Sequence, residues 1–256
     1  MAHRPIPAHI LNGGAEPIFE VLPQSVVANM IRPTSENALL WNLIYRIAHP
    51  RISMASLLKL RPSWGTPGLQ EGEDRLLPYF WGYAASGERL ANLDEALDEI
   101  DGPGRQTEAD LFLVGQENLI LVEAKNLGLL GRCGRFGLKR CPEVHPESSS
   151  ERACRYWEGG VARFLEHLDW APRPAPFAPA PPCSRHYQLG RTLLVGDALA
   201  RRTRLRLHVW LILPRSRCRT FERDWLDFVD GVRDHQLWRR MRVVSWESIH
   251  ELPAQA

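Results

Sequence analysis

Lysine is almost missing from this chain. Of its 32 basic residues, 29 are arginine, and only Lys59, Lys125 and Lys139 are lysine. A GC-rich coding sequence produces such a bias, and it makes each retained lysine informative, because a compact ammonium and a planar guanidinium are not interchangeable. Also missing is any apolar run near the roughly 18 residues that a spanning helix needs. The first residues, MAHRPIPAHILNGG, lack the apolar stretch of a secretory signal. The expectation is a soluble cytoplasmic protein with no membrane partner. Five cysteines are present, but no C-x2-C pair, and in a reducing compartment they are not expected to form disulfides. A net charge of +2 is too small for the whole-molecule field to argue for a polyanionic partner.

What is present concentrates on one short stretch. Ala109-Asp110-Leu-Phe-Leu-Val-Gly115 and Asn118-Leu-Ile-Leu-Val-Glu123-Ala-Lys125 are two apolar runs joined by Gln116-Glu117. Closing the hairpin with Gly115 opposite Asn118 fixes the pairing and sets Asp110 opposite Glu123, and strand alternation puts Lys125 on the face of Glu123. Facing Cβ atoms lie about 5 Å apart. Two carboxylates and an ammonium therefore meet at the end of an otherwise apolar hairpin. Burying such a trio without a partner is costly, and a divalent cation would relieve the carboxylate repulsion. The alternative is a surface hairpin with a solvated salt-bridge set; apolar residues on both strand faces speak against it and for a central position in a sheet.

Around this hairpin, residues 1–34 read as an irregular N-terminal segment with a short helix around Gln24–Met30. Residues 35–256 read as a single α/β domain. Ser35 is a good N-cap for a helix whose apolar residues recur at helical spacing from Ala38 to Ile47. Residues 61–87 resist assignment. Residues 88–100 are amphipathic, and Asp101-Gly-Pro-Gly104 is a turn. A Gly- and Cys-containing loop spans 126–150, a helix is expected over Glu151–Asp169, and 171–182 is an exposed, semi-rigid Pro/Ala linker. Helix His186–Ala200, strand Leu205–Leu213, helix Phe221–Val232, strand Met241–Trp246 and a last helical turn follow. This order predicts a mixed central β-sheet flanked by helices.

The chemistry of the trio is that of phosphodiester cleavage. Mg²⁺ or Mn²⁺ takes oxygen ligands and keeps several waters; Asp110, Glu123 and the main-chain carbonyl of Ala124 could supply oxygens, while Lys125 would orient the attacking water or neutralise developing charge. Asp110, a twelve-residue spacer and Glu123-Ala124-Lys125 on a Leu/Ile/Val strand resemble the PD-(D/E)xK phosphodiesterase superfamily, with Ala109 in place of the usual proline. The resemblance covers roughly residues 35–213. It implies a restriction-endonuclease-like core, a Mg²⁺-dependent nuclease acting on nucleic acid, most directly DNA, metal binding by Asp110 and Glu123, and catalysis by Lys125. It also points to Glu36, since many members carry a first-helix glutamate near the metal; otherwise Glu36 simply complements the helix dipole. Gln188 resembles the glutamine of the Q-x-x-x-Y element of RecB-like nucleases, although Tyr187 here is adjacent to it. Gln188 and Arg191 could together face a phosphate.

Cys133, Cys141, Cys154 and Cys183 all fall between the lysine strand and the next long helix. Some RecB-like nucleases hold an iron–sulfur cluster near the core, and with His145 replacing one thiol the set could instead bind Zn²⁺. Two rivals to a nuclease remain: a catalytically silent nuclease-fold module that binds DNA or a partner, and an iron–sulfur or zinc protein organised around the cysteines. The arginine runs 201–206, 215–219 and 239–242 read as solvated surface rather than a nucleic-acid track, and Trp41, Trp81 and Trp210 read as core.

Overall fold

The computed structural model describes residues 9–32, 34–103, 109–151, 153–157, 163–170, 173–177 and 179–253. The helices are α1 (Ile18–Val21), α2 (Gln24–Asn29), α3 (Glu36–Ala48), α4 (Met54–Leu58), α5 (Leu93–Asp101), α6 (Gly134–Gly137), α7 (Arg163–His167), α8 (Pro182–Arg185), α9 (Tyr187–Thr203), α10 (Cys218–Val229), α11 (His235–Arg239) and α12 (Trp246–His250). The strands are β1 (Ile52–Ser53), β2 (Arg75–Phe80), β3 (Tyr83–Ala84), β4 (Leu111–Val114), β5 (Asn118–Ala124), β6 (Arg206–Leu213) and β7 (Met241–Ser245). They build one mixed sheet in the order β1-β2-β4-β5-β6-β7, with β3 on β2. Pairing is antiparallel from β1 to β5 and parallel from β5 to β7.

The hairpin sits centrally, between β2 and β6. Its register is Leu111↔Val122, Phe112↔Leu121, Leu113↔Ile120 and Val114↔Leu119, which one further step extends to Asp110 opposite Glu123. Both faces are covered. Phe112, Leu119 and Leu121 pack into a core with α5, α9 and α10, whereas Leu113, Ile120 and Val122 pack with α3. Each large apolar side chain buried this way contributes about 1.5–3 kcal/mol relative to exposure. Gly196 lets α9 lie close to the sheet, for a Cβ there would meet Leu207 at 2.8 Å and Leu121 at 3.2 Å.

The hairpin tip is held from outside. The Asp74 carboxylate accepts from the backbone N–H of Gln116 at 2.9 Å and of Glu117 and Asn118 at 3.0 Å each. Burial would raise this carboxyl's pKa, but the amides more than offset it and hold it below its usual value. A side chain at Gly115 would collide with the same carboxylate.

Several sequence expectations change. The N-terminal segment holds the expected short helix, as α2, and also α1, and it passes Ile18, Phe19, Leu22 and Met30 into the core. Residues 61–87 contain β2, hidden in sequence by Pro78. Of the helix expected over Glu151–Asp169, the described residues are helical only over Arg163–His167; 152 and 158–162 lie outside them, as does Gly104 of the turn. The 171–182 segment is docked rather than free where described: Arg173 grips Glu143 with two bonds of 2.8 Å, and Phe177 N–H reaches Val144 O at 3.0 Å. Trp41, Trp81 and Trp210 are buried. Among the described residues no helix is long and apolar enough to cross a membrane.

At the N-terminal ends of the parallel strands lies a polar layer in which Glu71, His208 and Asn118 are buried. Glu71 pairs with Arg206 and Arg240 at 3.0 Å each, and His208 meets the Asn118 amide oxygen at 3.3 Å. Burial, with Arg240, Arg206 and Arg242 nearby, depresses the His208 pKa to about 3. A histidine depressed from its ordinary value of 6.5 to about 3 favours the folded state above its unfolded pKa, and this contribution falls as pH drops through that window. Chemical denaturation from pH 7 to pH 5 should therefore show a loss of about 2 kcal/mol in the wild type that is absent from His208→Gln; equal losses in the two proteins would refute the assignment.

Candidate functional site

The site lies where the antiparallel and parallel halves of the sheet meet, at the C-terminal end of β5. Asp110 precedes β4; its Oδ2 accepts the Ala124 N–H at 2.8 Å. Glu123, on β5, points toward α9. Its Oε2 accepts from Gln188 Nε2, and its Oε1 accepts from the Thr192 hydroxyl at 2.5 Å. Gln188, Thr192 and Gly196 are spaced by one helical turn, so the residue that allows close packing shares a face with the two that reach Glu123. Gln188 is a bridge: its Oε1 accepts the Gly131 N–H at 2.7 Å.

Lys125 is buried, and its ammonium lies 3.9 Å from Glu36 Oε2. The other Glu36 oxygen accepts the N–H groups of Asn126 at 2.8 Å and Gly128 at 3.1 Å. Arg217 grips the same loop from the other side, donating to the carbonyls of Asn126 at 2.9 Å, Leu127 at 2.6 Å and Gly128 at 3.3 Å. Trp246 Nε1 donates to Lys125 O at 2.9 Å. The backbone leaving the lysine is thus fixed by Glu36, Arg217 and Trp246. Glu36 itself begins α3 because Ser35 caps that helix, its side chain accepting from Ala38 N–H.

The electrostatics are those of a crowded anionic site. Burial and the neighbouring Asp110 push Glu123 up to about 7, against the pull of Lys125, Thr192 and Arg191. Asp110 keeps some solvent exposure yet is enclosed by protein on most sides; burial raises its pKa, and Lys125 and the Ala124 amide only partly counter this. For Lys125, burial favours the neutral amine, but Asp110, Glu123 and Glu36 together outweigh it and raise the pKa. The ammonium therefore stays protonated beside two carboxylates that repel each other.

The structure thus brings together Asp110, Glu123, Lys125, Glu36 and Gln188. It does not present Arg191 to a phosphate: the guanidinium is buried and bound to Asp101 through two Nε contacts of 3.0 Å and a further Nη2 contact. Asp101 also accepts from Tyr156 at 2.7 Å, and Tyr156 meets Tyr187 at 2.9 Å. Thr192 was not singled out by the sequence reading; its signal was the four-residue step from Gln188. Ala124 engages Asp110 through its N–H. Most of the arginines in the three runs are exposed, but four are engaged in ion pairs, Arg201 and Arg202 with Glu99 and Arg206 and Arg240 with Glu71, and Arg242 is buried over Trp210.

The four loop cysteines converge. Cys133 N–H donates to Ser184 O at 2.9 Å, beside Cys183. Trp157 joins two more, donating its indole N–H to Cys183 Sγ at 3.4 Å and its backbone N–H to Cys154 O at 2.8 Å. Cys154 N–H donates to Glu143, two residues from Cys141. All four thiols are within electrostatic reach of one another, and burial chiefly pushes Cys154 and Cys183 up to about 12. His145 lies against Phe136, and its Nδ1 is buried without a partner among the described residues. Among the described residues, no three His, Cys, Asp or Glu side chains are gathered to hold a single metal ion. The carboxylate pair offers two ligands, within the one or two that Mg²⁺ ordinarily takes from protein.

Because Glu123 is held ionised against Asp110 at alkaline pH, Glu123→Gln should stabilise the metal-free protein. In EDTA at pH 8 its melting temperature should exceed that of the wild type by about 2–6 °C, corresponding to roughly 1–2 kcal/mol; a lower melting temperature would contradict the repulsion.

No family model, curated protein or solved structure matches the chain.

Proposed function

We propose that the chain is a metal-dependent nuclease of PD-(D/E)xK type that hydrolyses phosphodiester bonds in DNA. One observation carries this reading: the partly exposed Asp110 and the buried Glu123 stand one step beyond the Leu111↔Val122 pair of β4 and β5, with a protonated Lys125 near them. The sheet order, antiparallel up to β5 and parallel beyond it, supports a restriction-endonuclease-like core. So does the placement of α3 on one face and α9 on the other.

Asp110, Glu123 and the Ala124 carbonyl would hold Mg²⁺ or Mn²⁺, which supplies charge for the phosphate and acidifies a bound water. The mutual repulsion of the two carboxylates is what a divalent cation neutralises. Lys125 holds its proton and presents positive charge where the attacking water and the developing phosphorane charge meet. Gln188 and Thr192 fix both Glu123 oxygens, leaving their remaining lone pairs directed. Glu36 acts at one remove, through Lys125 and the 126–128 loop. The spacing Gln188-x-x-x-Thr192 places a hydroxyl where RecB-like nucleases carry tyrosine. Asp110→Ala and Lys125→Ala should each lower Mg²⁺-dependent cleavage of linear, circular or single-stranded DNA by about 10³-fold or more with unchanged circular dichroism, and EDTA should abolish it. Persistent activity in both purified variants would defeat the proposal.

The contacts of Trp157 with Cys154 and Cys183, and the electrostatic coupling of these two thiols to Cys133 and Cys141, favour a second reading that can coexist with the first. Four thiols are the donor type of an iron–sulfur centre, which spans a wider set of sulfurs than one zinc ion. Such a centre would staple a stretch that has little regular structure. Anaerobically purified protein should absorb near about 400 nm and contain iron, and Cys133→Ser with Cys183→Ser should remove both. Colourless, iron-free protein would dismiss the cluster.

A further inference from the structure

Beyond the carboxylate–lysine site, the same edge of the sheet carries a basic cleft. Parallel pairing aligns the C-terminal ends of three strands. Ala124↔Ile212 and Leu213↔Ser245 are registered pairs, and Lys125 N–H donates to Ile212 O at 2.8 Å. Lys125, Leu213 and Ser245 therefore stand in one row. The row continues into the segment after α4. Ser63 N–H donates to Val243 O at 2.7 Å and Val243 N–H to Trp64 O at 2.8 Å, an antiparallel contact that carries Arg61 past the end of β7.

At the end of this row lies a cleft of about 640 Å³, walled by Lys59, Arg61 and Arg215 with Ser63 and Ser248; Glu251 is on its rim, and the Glu247 carboxylate accepts the Arg215 backbone N–H at 3.0 and 3.2 Å. The three cations are exposed, and none makes an ion pair with another described residue. That sets them apart from Arg201, Arg202, Arg206 and Arg240, which are spent on Glu99, Glu71 and Glu117. Two of the three lysines in an arginine-dominated chain, Lys59 and Lys125, fall along this edge.

Adjacent strands are about 4.8 Å apart, so the cleft begins roughly 10–15 Å from the Lys125 backbone. A nucleic-acid strand advances about 3.4 Å per nucleotide, so that span matches about three or four nucleotides. We infer that Lys59, Arg61 and Arg215 form a phosphate-binding subsite for the nucleic-acid strand three to four nucleotides from the bond cleaved at the carboxylate–lysine site. The location rests on the nuclease reading; the capacity to bind phosphate backbone does not.

The test is equilibrium binding of the full chain to a fluorescein-labelled DNA duplex in EDTA, where no cleavage competes, across a salt series. The variant Lys59→Gln/Arg61→Gln/Arg215→Gln should bind at least about tenfold more weakly, and its slope of log K against log salt should be shallower by about two to three, because each lost duplex phosphate contact removes about 0.9 from the slope. Lys59→Arg/Arg61→Lys/Arg215→Lys, with the charges kept, should retain the wild-type slope, and circular dichroism should report both variants folded. An unchanged slope in the glutamine variant, or no DNA binding by the wild type, overturns the subsite. Wild-type Mg²⁺-dependent cleavage is scored separately. Slope loss without any cleavage would sink the nuclease reading and leave the subsite; cleavage with an unchanged slope would do the reverse.

Discussion

The repulsion between Asp110 and Glu123 is the constraint around which this molecule is arranged. A buried carboxylate facing a partly exposed one destabilises a fold unless donors surround them. The Ala124 amide, the Gln188 amide and the Thr192 hydroxyl supply those donors, the Lys125 ammonium adds a favourable field, and each comes from an element whose position is fixed for another reason. The amide and the lysine belong to β5, set by its register with β4 and β6. The two α9 groups depend on Gly196, which admits the helix to the sheet. What the donors leave unmet is a net negative charge directed at one point.

The two ends of the parallel strands have been put to different uses. At the N-terminal ends, Glu71 is shared by Arg206 and Arg240 and His208 is held neutral, although His208 Nδ1 and two nitrogens of Arg242 are buried without a partner among the described residues. At the C-terminal ends, the charges are unbalanced: carboxylates crowd together at β5, and unpaired cations line the cleft beyond β7. Ligands of open α/β sheets bind beyond the carboxyl ends of strands, and the crowded carboxylates and the cationic cleft both lie at that end.

The hairpin and most long elements could be read from residue pattern, because register in a two-sided apolar hairpin leaves no freedom to slip. Asp110, Glu123 and Lys125 were legible for that reason. Gln188 was found through a resemblance whose spacing did not match, while Thr192, its true companion, went unseen: a mid-helix threonine carries no signal until the helix is docked. Arg191 was misjudged because Asp101 is far away in sequence. Strand β2 was obscured by Pro78, and α1 by the prolines on either side of it. Local pattern revealed what pairs locally; partners brought together by tertiary packing stayed hidden.

Asp74 draws one more consequence. Tips of β-hairpins are usual places for epitope tags, circular permutation or domain insertion, since exposed turns tolerate added chain. Here the tip is gripped by a carboxylate from another strand's approach, through the amides of Gln116, Glu117 and Asn118. Splicing anything between Gln116 and Glu117 would strip that clasp and loosen the strand that bears Glu123, so a modification about as far from the chemistry as β5 allows would be transmitted to it along the strand. The apparent loop is an anchor point, and engineering of this chain belongs elsewhere on its surface.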